Sequence, residues 1–238
     1  MKELKEYARI GRKAYLYDEK NNLYYKKSTN SKPMRLSLFQ EHFYNLRLFN
    51  NVPVLEIDGL RMQVMKGFKT PLDYSEKIAD VLKIKENEKV LDTCMGLGYT
   101  AMAAAKKGAQ VVAVEYSDAV IELARYNPLS APLFESKNID ILKGDIAEKI
   151  KQFDDESFDK IIHDPPRISH APKLYSRDFY LELKRVLKPN GEIYHYVGSV
   201  GTKKRGRNIK SEVARRLYEV GFRKTRYVET LQGIITKK

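Results

Sequence analysis

Two rhythms of apolar and polar residues divide the 238-residue chain. From about residue 74 onward, short runs rich in β-branched residues alternate with stretches whose apolar positions recur every three to four residues. This is the pattern of a parallel sheet covered by helices on both faces. The spacing predicts helices over 74–84, 99–107, 118–126, 176–187 and 210–220, with a short one after Asp145, and strands over 89–94, 110–116, 139–143, 158–163 and 192–197. The punctuation agrees: Ser117 or Asp118 caps one helix, Gly108 and Gly221 stop two others, and Lys188-Pro189-Asn190-Gly191 closes the helix before the fifth strand. Two final β runs, 223–229 and 232–236, are close enough to pair antiparallel. The expected fold class is α/β, with a mostly parallel sheet.

Residues 1–52 lack this alternation. Tyr7, Tyr15, Tyr17, Tyr24, Tyr25, Phe39, Phe43 and Tyr44 lie among lysines and arginines, which reads as a small separate module, leaving 53–238 as the α/β body. Segments 54–57 and 62–65, flanking Asp58-Gly59, read as a hairpin joining the two.

Charge sharpens this division. The net charge is +13, with +6 in residues 1–52, +9 in 199–238 and −2 between them. A polyanion is the first partner this suggests, and RNA suits the basic, aromatic-rich amino end, where cations would meet phosphates and aromatic faces would meet unstacked bases. A second basic loop, 201–208, carries Lys203, Lys204, Arg205 and Arg207, expected to bind substrate beside the sheet edge. The plainer alternatives are a solvated Lys- and Glu-rich surface and tyrosines that merely build a core. Cys94 is the sole cysteine and the four histidines are scattered, so neither a disulfide nor a metal site is expected. No run approaches the ~18 apolar residues of a membrane span, and the first residues lack a secretory apolar block, so a cytoplasmic protein without membrane contact is expected.

The most informative stretch is Val90-Leu-Asp-Thr-Cys-Met-Gly-Leu-Gly-Tyr-Thr-Ala101. A strand ending at Asp92 and running through Gly96 and Gly98 into a helix lets backbone approach a ligand where a side chain would block it. Glu115 stands 19 residues after Gly96, placed to accept both hydroxyls of a ribose, and Asp145 could accept from an adenine amino group. Leu91-Asp92-Thr-Cys-Met-Gly96-Leu-Gly98, Glu115, Asp145 and Asp164-Pro165-Pro166 together resemble the ordered motifs of class I S-adenosylmethionine-dependent methyltransferases, over roughly residues 70–238. The resemblance implies a Rossmann-like seven-stranded sheet with a final antiparallel strand. It also implies S-adenosylmethionine as cofactor, S-adenosylhomocysteine as its product, and a cofactor site of Asp92, Cys94, Gly96, Gly98, Tyr99, Thr100, Glu115, Tyr116, Asp145, Ile146 and Asp164. Cys94 departs from the family, which usually has its first glycine there.

Ile161-Ile-His-Asp-Pro-Pro-Arg167 follows the fourth strand. Two prolines fix the backbone and remove donors, so Asp164 and the neighbouring carbonyls present acceptors only, which suits an amine. This resembles the Asp/Asn-Pro-Pro-aromatic motif of methyltransferases that act on exocyclic amines of nucleobases, and implies catalytic roles for Asp164, Pro165, Pro166 and Arg167. Arg167 stands where the family usually carries an aromatic, and would lie against base or phosphate. His163 should point away from Asp164. The expected activity is N-methylation of ribosomal or transfer RNA, with cytidine N4 ahead of adenosine N6 and guanosine N2. Asp164-Pro-Pro and the segment 174–191 also look like spermidine-synthase-type aminopropyltransferases, although their Gly-Gly-Gly-Asp-Gly run is missing and a chain at +13 is a poor host for a polycation. A protein or small-molecule methyltransferase, and an RNA-binding protein without turnover, complete the alternatives.

Overall fold

The computed structural model describes residues 3–63, 66–198 and 209–238. Eight short strands come first. β1 (Lys5–Ile10), β2 (Lys13–Tyr17), β3 (Leu23–Lys26) and β4 (Met34–Arg35) form one antiparallel sheet, and β5 (Ser37–Phe39), β6 (Phe43–Phe49), β7 (Val52–Ile57) and β8 (Leu60–Arg61) form another. The turns dictate these hairpins. Asn50-Asn51 and Asp58-Gly59 take positive φ at both positions, the two-residue conformation whose twist matches the strands it joins. Leu36 stitches the sheets together: its N–H donates to the Leu23 carbonyl at 2.8 Å, its carbonyl accepts from Leu46 N–H at 2.9 Å, and its side chain is buried.

The strands run across the expected boundary at 52. β6 and β7 pair from Tyr44↔Ile57 to Phe49↔Val52 and β7 pairs on with Leu60–Arg61, so the strand unit runs on to Arg61, while residues 64 and 65 of the expected second arm 62–65 lie outside the described residues. Nor does the unit stand apart. Tyr15, Leu23, Leu36, Tyr44, Leu46 and Leu48 belong to the same buried cluster as Tyr74, Ile78, Leu97 and Leu123 of the body. Eight short strands cannot enclose a sufficient core alone, so they complete it against the helices.

The body follows as α1 (Pro71–Val81), β9 (Lys89–Asp92), α2 (Tyr99–Lys106), β10 (Gln110–Glu115), α3 (Asp118–Tyr126), α4 (Ala131–Glu135), β11 (Ile139–Lys143), α5 (Ile146–Lys149), β12 (Phe158–His163), α6 (Arg177–Val186), β13 (Leu187–Tyr196), α7 (Ile209–Glu219), β14 (Arg223–Val228) and β15 (Gly233–Lys237). The seven strands lie in the order β11-β10-β9-β12-β13-β15-β14. All neighbours are parallel except β15, which runs antiparallel to both β13 and β14, as expected from the sequence. The chain reverses its winding between β9 and β12, and the crevice at such a switch point is where open α/β sheets take ligands.

Three local differences have physical causes. α1 starts three residues before the predicted helix, because Thr70 and Asp73 close a capping box and Pro71 suits the first turn. β13 already begins at Leu187 and absorbs Pro189-Asn190-Gly191 as an irregularity between the pairs Phe158↔Leu187 and Lys160↔Glu192. The segment 128–135, unassigned by pattern, is a single 3₁₀ turn followed by α4, with prolines confined to their first turns.

Candidate active site

The glycine turn hangs between β9 and α2. Asp92 at its base is fully buried; its carboxylate accepts from Thr100 Oγ1 at 2.6 Å and from Cys94 N–H at 3.4 Å. Burial pushes its pKa up to about 6 against those hydrogen bonds. Asp92 and Thr100, expected to meet the cofactor, are therefore used to hold the turn's shape. The Tyr99 side chain is engaged elsewhere too: its hydroxyl donates to the Pro53 carbonyl at 2.7 Å and accepts from Asn127 Nδ2 at 2.9 Å. Burial and the nearby Glu115 hold the Cys94 thiol well above its ordinary range, so it is a small buried group rather than a nucleophile.

Gly98 takes φ +80°, and a Cβ there would lie 2.4 Å from Leu133 Cδ2. Gly96, at φ +55°, faces open space. The turn thus packs tightly on one side and presents bare backbone on the other, a cradle that a side chain would fill. Three residues that the sequence reading missed support it from below. Ser130 Oγ donates to the Leu97 carbonyl at 2.7 Å, Asn127 Nδ2 donates to Ser130 Oγ at 2.7 Å, and Leu133 of α4 fills the space under Gly98. A helix predicted there would have been the only available signal, and two prolines concealed it.

Glu115 ends β10 facing the cradle. Oε2 accepts from Gly96 N–H and Oε1 from Ser117 N–H, both at 2.9 Å, leaving one lone pair on each oxygen for a diol. Burial raises its pKa, opposed by those backbone donors. Asp145 caps α5 with one oxygen, Oδ1 to Ala147 N–H at 2.9 Å; Ile146 beside it is buried, while Tyr116 is exposed.

Asp164 lies just beyond β12, across the crevice from Asp92. Its carboxylate is half-buried and makes no hydrogen bond among the described residues. Burial first, then the charge of Asp92, pushes its pKa up to about 7. Pro165 is buried, whereas Pro166 and Arg167 are exposed. The Pro166 carbonyl accepts from Tyr175 Oη at 3.0 Å, which leaves the Pro165 carbonyl as the acceptor without a partner among the described residues. His163 faces the opposite side, as expected: it is fully buried between Thr93 Oγ1 at 2.7 Å and the Leu174 carbonyl at 3.0 Å, and burial lowers its pKa to about 4.

A second group absent from the sequence reading surrounds Asp164. Tyr74 and Tyr194 share a hydrogen bond at 2.7 Å, Tyr194 donates on to the Leu231 carbonyl at 2.9 Å, and the charge of Asp164 raises the pKa of both, secondary to burial. The period of β13 marks Tyr194 as inward-facing, but only the pairing with β12 shows which acid it faces. Lys203, Lys204, Arg205 and Arg207 lie outside the described residues. The described residues hold no group of three or more His, Cys, Asp or Glu able to bind a metal, and no helix among them is long and apolar enough to cross a membrane.

The bare backbone at Gly96, the Glu115 carboxylate and Asp164, which has no hydrogen-bond partner among the described residues, meet at one switch point. Residues 90–191 match the family model described as a methyltransferase domain. The α/β body shares its fold with a SAM-dependent methyltransferase of Aquifex aeolicus, at a TM-score of 0.51 and 21% identity over 68% of this chain and 87% of that one. Among its relatives is an uncharacterized protein of Methanocaldococcus jannaschii, 48% identical over 186 residues, 78% of this chain and 64% of that protein. A provisionally assigned ribosomal RNA large subunit methyltransferase of the same organism is 30% identical over 135 residues, 56% of this chain and 32% of that protein. The chain therefore spans less than two thirds of these curated relatives. Among solved structures, spermidine synthase bound to the transition-state analogue AdoDATO shares the fold over 100% of this chain and 83% of its own, at a TM-score of 0.73 and 21% identity.

Proposed function

We propose that the protein is an S-adenosylmethionine-dependent methyltransferase acting on an exocyclic amine of a nucleobase in ribosomal or transfer RNA, with cytidine N4 ahead of adenosine N6 and guanosine N2. The observation that carries this reading is the Asp164 carboxylate next to the Pro165 carbonyl, neither with a hydrogen-bond partner among the described residues. Both are acceptors, and an amino group has two hydrogens to give. The net charge of +13 supports a polyanionic substrate.

The cofactor, when bound, supplies a methyl carbon on a sulfonium whose leaving group is a neutral thioether. Gly96 and Gly98 would lie along it, Glu115 would take the ribose hydroxyls and Asp145 the adenine amine. Asp164 and the Pro165 carbonyl would hold the two amine hydrogens, turning the nitrogen lone pair out of conjugation with the ring, and Asp164 could take the proton that the methylated nitrogen sheds. Arg167, exposed and with a guanidinium that makes no hydrogen bond among the described residues, would lie against base or phosphate. Positioning and electrostatics then supply most of the acceleration.

The test is transfer of labelled methyl from S-adenosylmethionine to bulk RNA, DNA and protein, followed by nucleoside analysis. Label in an N-methylated nucleoside of RNA is expected; label only in protein would overturn the reading. A second reading, an aminopropyltransferase, draws support from the whole-chain likeness to spermidine synthase, amino-terminal strands included. Turnover of decarboxylated S-adenosylmethionine with a polyamine would establish it.

A further inference from the structure

Resting on that reading, we infer that Tyr196 supplies the aromatic face against which the target base is held. β12 and β13 are parallel, with His163 paired to His195. The two imidazoles lie on one face of the sheet, their centroids 4.4 Å apart. The next residues, Asp164 and Tyr196, therefore fall side by side on the opposite face, the one that also carries Tyr194. Tyr196 is half-buried. Burial raises the pKa of its hydroxyl, and beyond that Asp164 raises it and Arg167 lowers it, so the hydroxyl lies within the fields of both the acid that would grip the amine and the cation at the end of the motif.

Its neighbours are otherwise engaged. The hydroxyls of Tyr74, Tyr175 and Tyr194 each make a hydrogen bond within the protein, to Tyr194, the Pro166 carbonyl and the Leu231 carbonyl respectively. Tyr196 Oη makes none to a described residue, and a Cβ built on Gly198 would still lie 3.9 Å from it. Two acceptors fix an amine nitrogen but leave the ring free to pivot about the C–N bond. A flat face removes that freedom, and stacking on an aromatic side chain is worth ~1–3 kcal/mol per base. Arg167, being exposed, would cover the base from the solvent side, with Tyr196 beneath it.

Tyr196→Leu and Tyr196→Phe test the assignment. Steady-state methylation of RNA would be read alongside the cofactor Kd by calorimetry and the thermal midpoint. Tyr196→Leu should lose about 10- to 100-fold in kcat/KM for RNA, with cofactor affinity and midpoint unchanged, whereas Tyr196→Phe should stay within about threefold of the parent. Equal activity of the Leu variant and the parent would overturn the inference while leaving the RNA reading intact. So would a loss in Tyr196→Phe as large as in Tyr196→Leu, or a parallel loss of cofactor affinity. A parent enzyme that labels no RNA would overturn both.

Discussion

Under the proposed function, Asp164 is a single residue that trades stability for chemistry. Its pKa rises from an ordinary 3.8 unfolded to about 7 folded, so between those values the folded state holds more proton than the unfolded. The contribution of this group to stability is therefore greatest below pH 4 and falls as pH rises to 7. Asparagine does not titrate. In urea titrations Asp164→Asn should be more stable than the parent by ~1–2 kcal/mol at pH 8 and nearly equal at pH 4. An advantage of the same size at both pH values would show that the carboxylate charge is not the cause. The ionised form is the acceptor that an amine needs, so kcat/KM should climb with pH to a plateau above about 7, and the variant should lose activity far more than cofactor affinity. Gly98 makes the opposite kind of demand. Gly98→Ala combines a left-handed φ with a Cβ driven into Leu133, and should cost ~2–4 kcal/mol, measured by thermal or chemical unfolding.

The elements that carry the site were legible to different degrees. β9, β10, β11 and β12 announced themselves through β-branched runs, and the glycines and acids at their ends through spacing, because both signals are local. The support under the turn was not legible. Asn127-Pro128-Leu-Ser-Ala-Pro132 reads as a loop, yet the prolines occupy first-turn positions and free Asn127, Ser130 and Leu133 to brace the glycines. The tyrosines near Asp164 were hidden for a different reason: which acid they face depends on the β12–β13 register, a pairing between distant segments. Ser130→Ala removes a buried link to the Leu97 carbonyl and leaves Asn127 short of a partner. It should cost ~1–3 kcal/mol and weaken cofactor binding, which calorimetry would detect. A variant that binds the cofactor like the parent would detach this element from the site.

At the scale of the whole molecule, charge and aromatic residues no longer tell the same story. Tyr15 and Tyr44 are buried and Tyr25 stacks edge-on to Tyr126 with centroids 5.1 Å apart, so several of the tyrosines that suggested an RNA surface build the core. Among the described residues before 53, the exposed aromatics are Phe39, Phe43 and Phe49, the last two with Arg35 and Arg61 over their rings. Electrostatic attraction to a polyanion survives this change, because it depends on the net charge of +13. With four or five phosphate contacts, log K for bulk RNA should fall with log salt at a slope of about −4, measured by filter binding or fluorescence anisotropy; a flat response would remove RNA as the partner.

The seam between the strand unit and the body has a consequence for how the chain is made. The Tyr99 hydroxyl that bonds the Pro53 carbonyl, and the α3 residue Tyr126 that meets Tyr25, both come after the strands they secure. As the polypeptide leaves the ribosome, β1 to β8 emerge well before the helices that cover them. Their tyrosines and leucines stay uncovered until the first helices of the body have followed, which makes this interval the one in which the nascent chain most needs shielding from its neighbours.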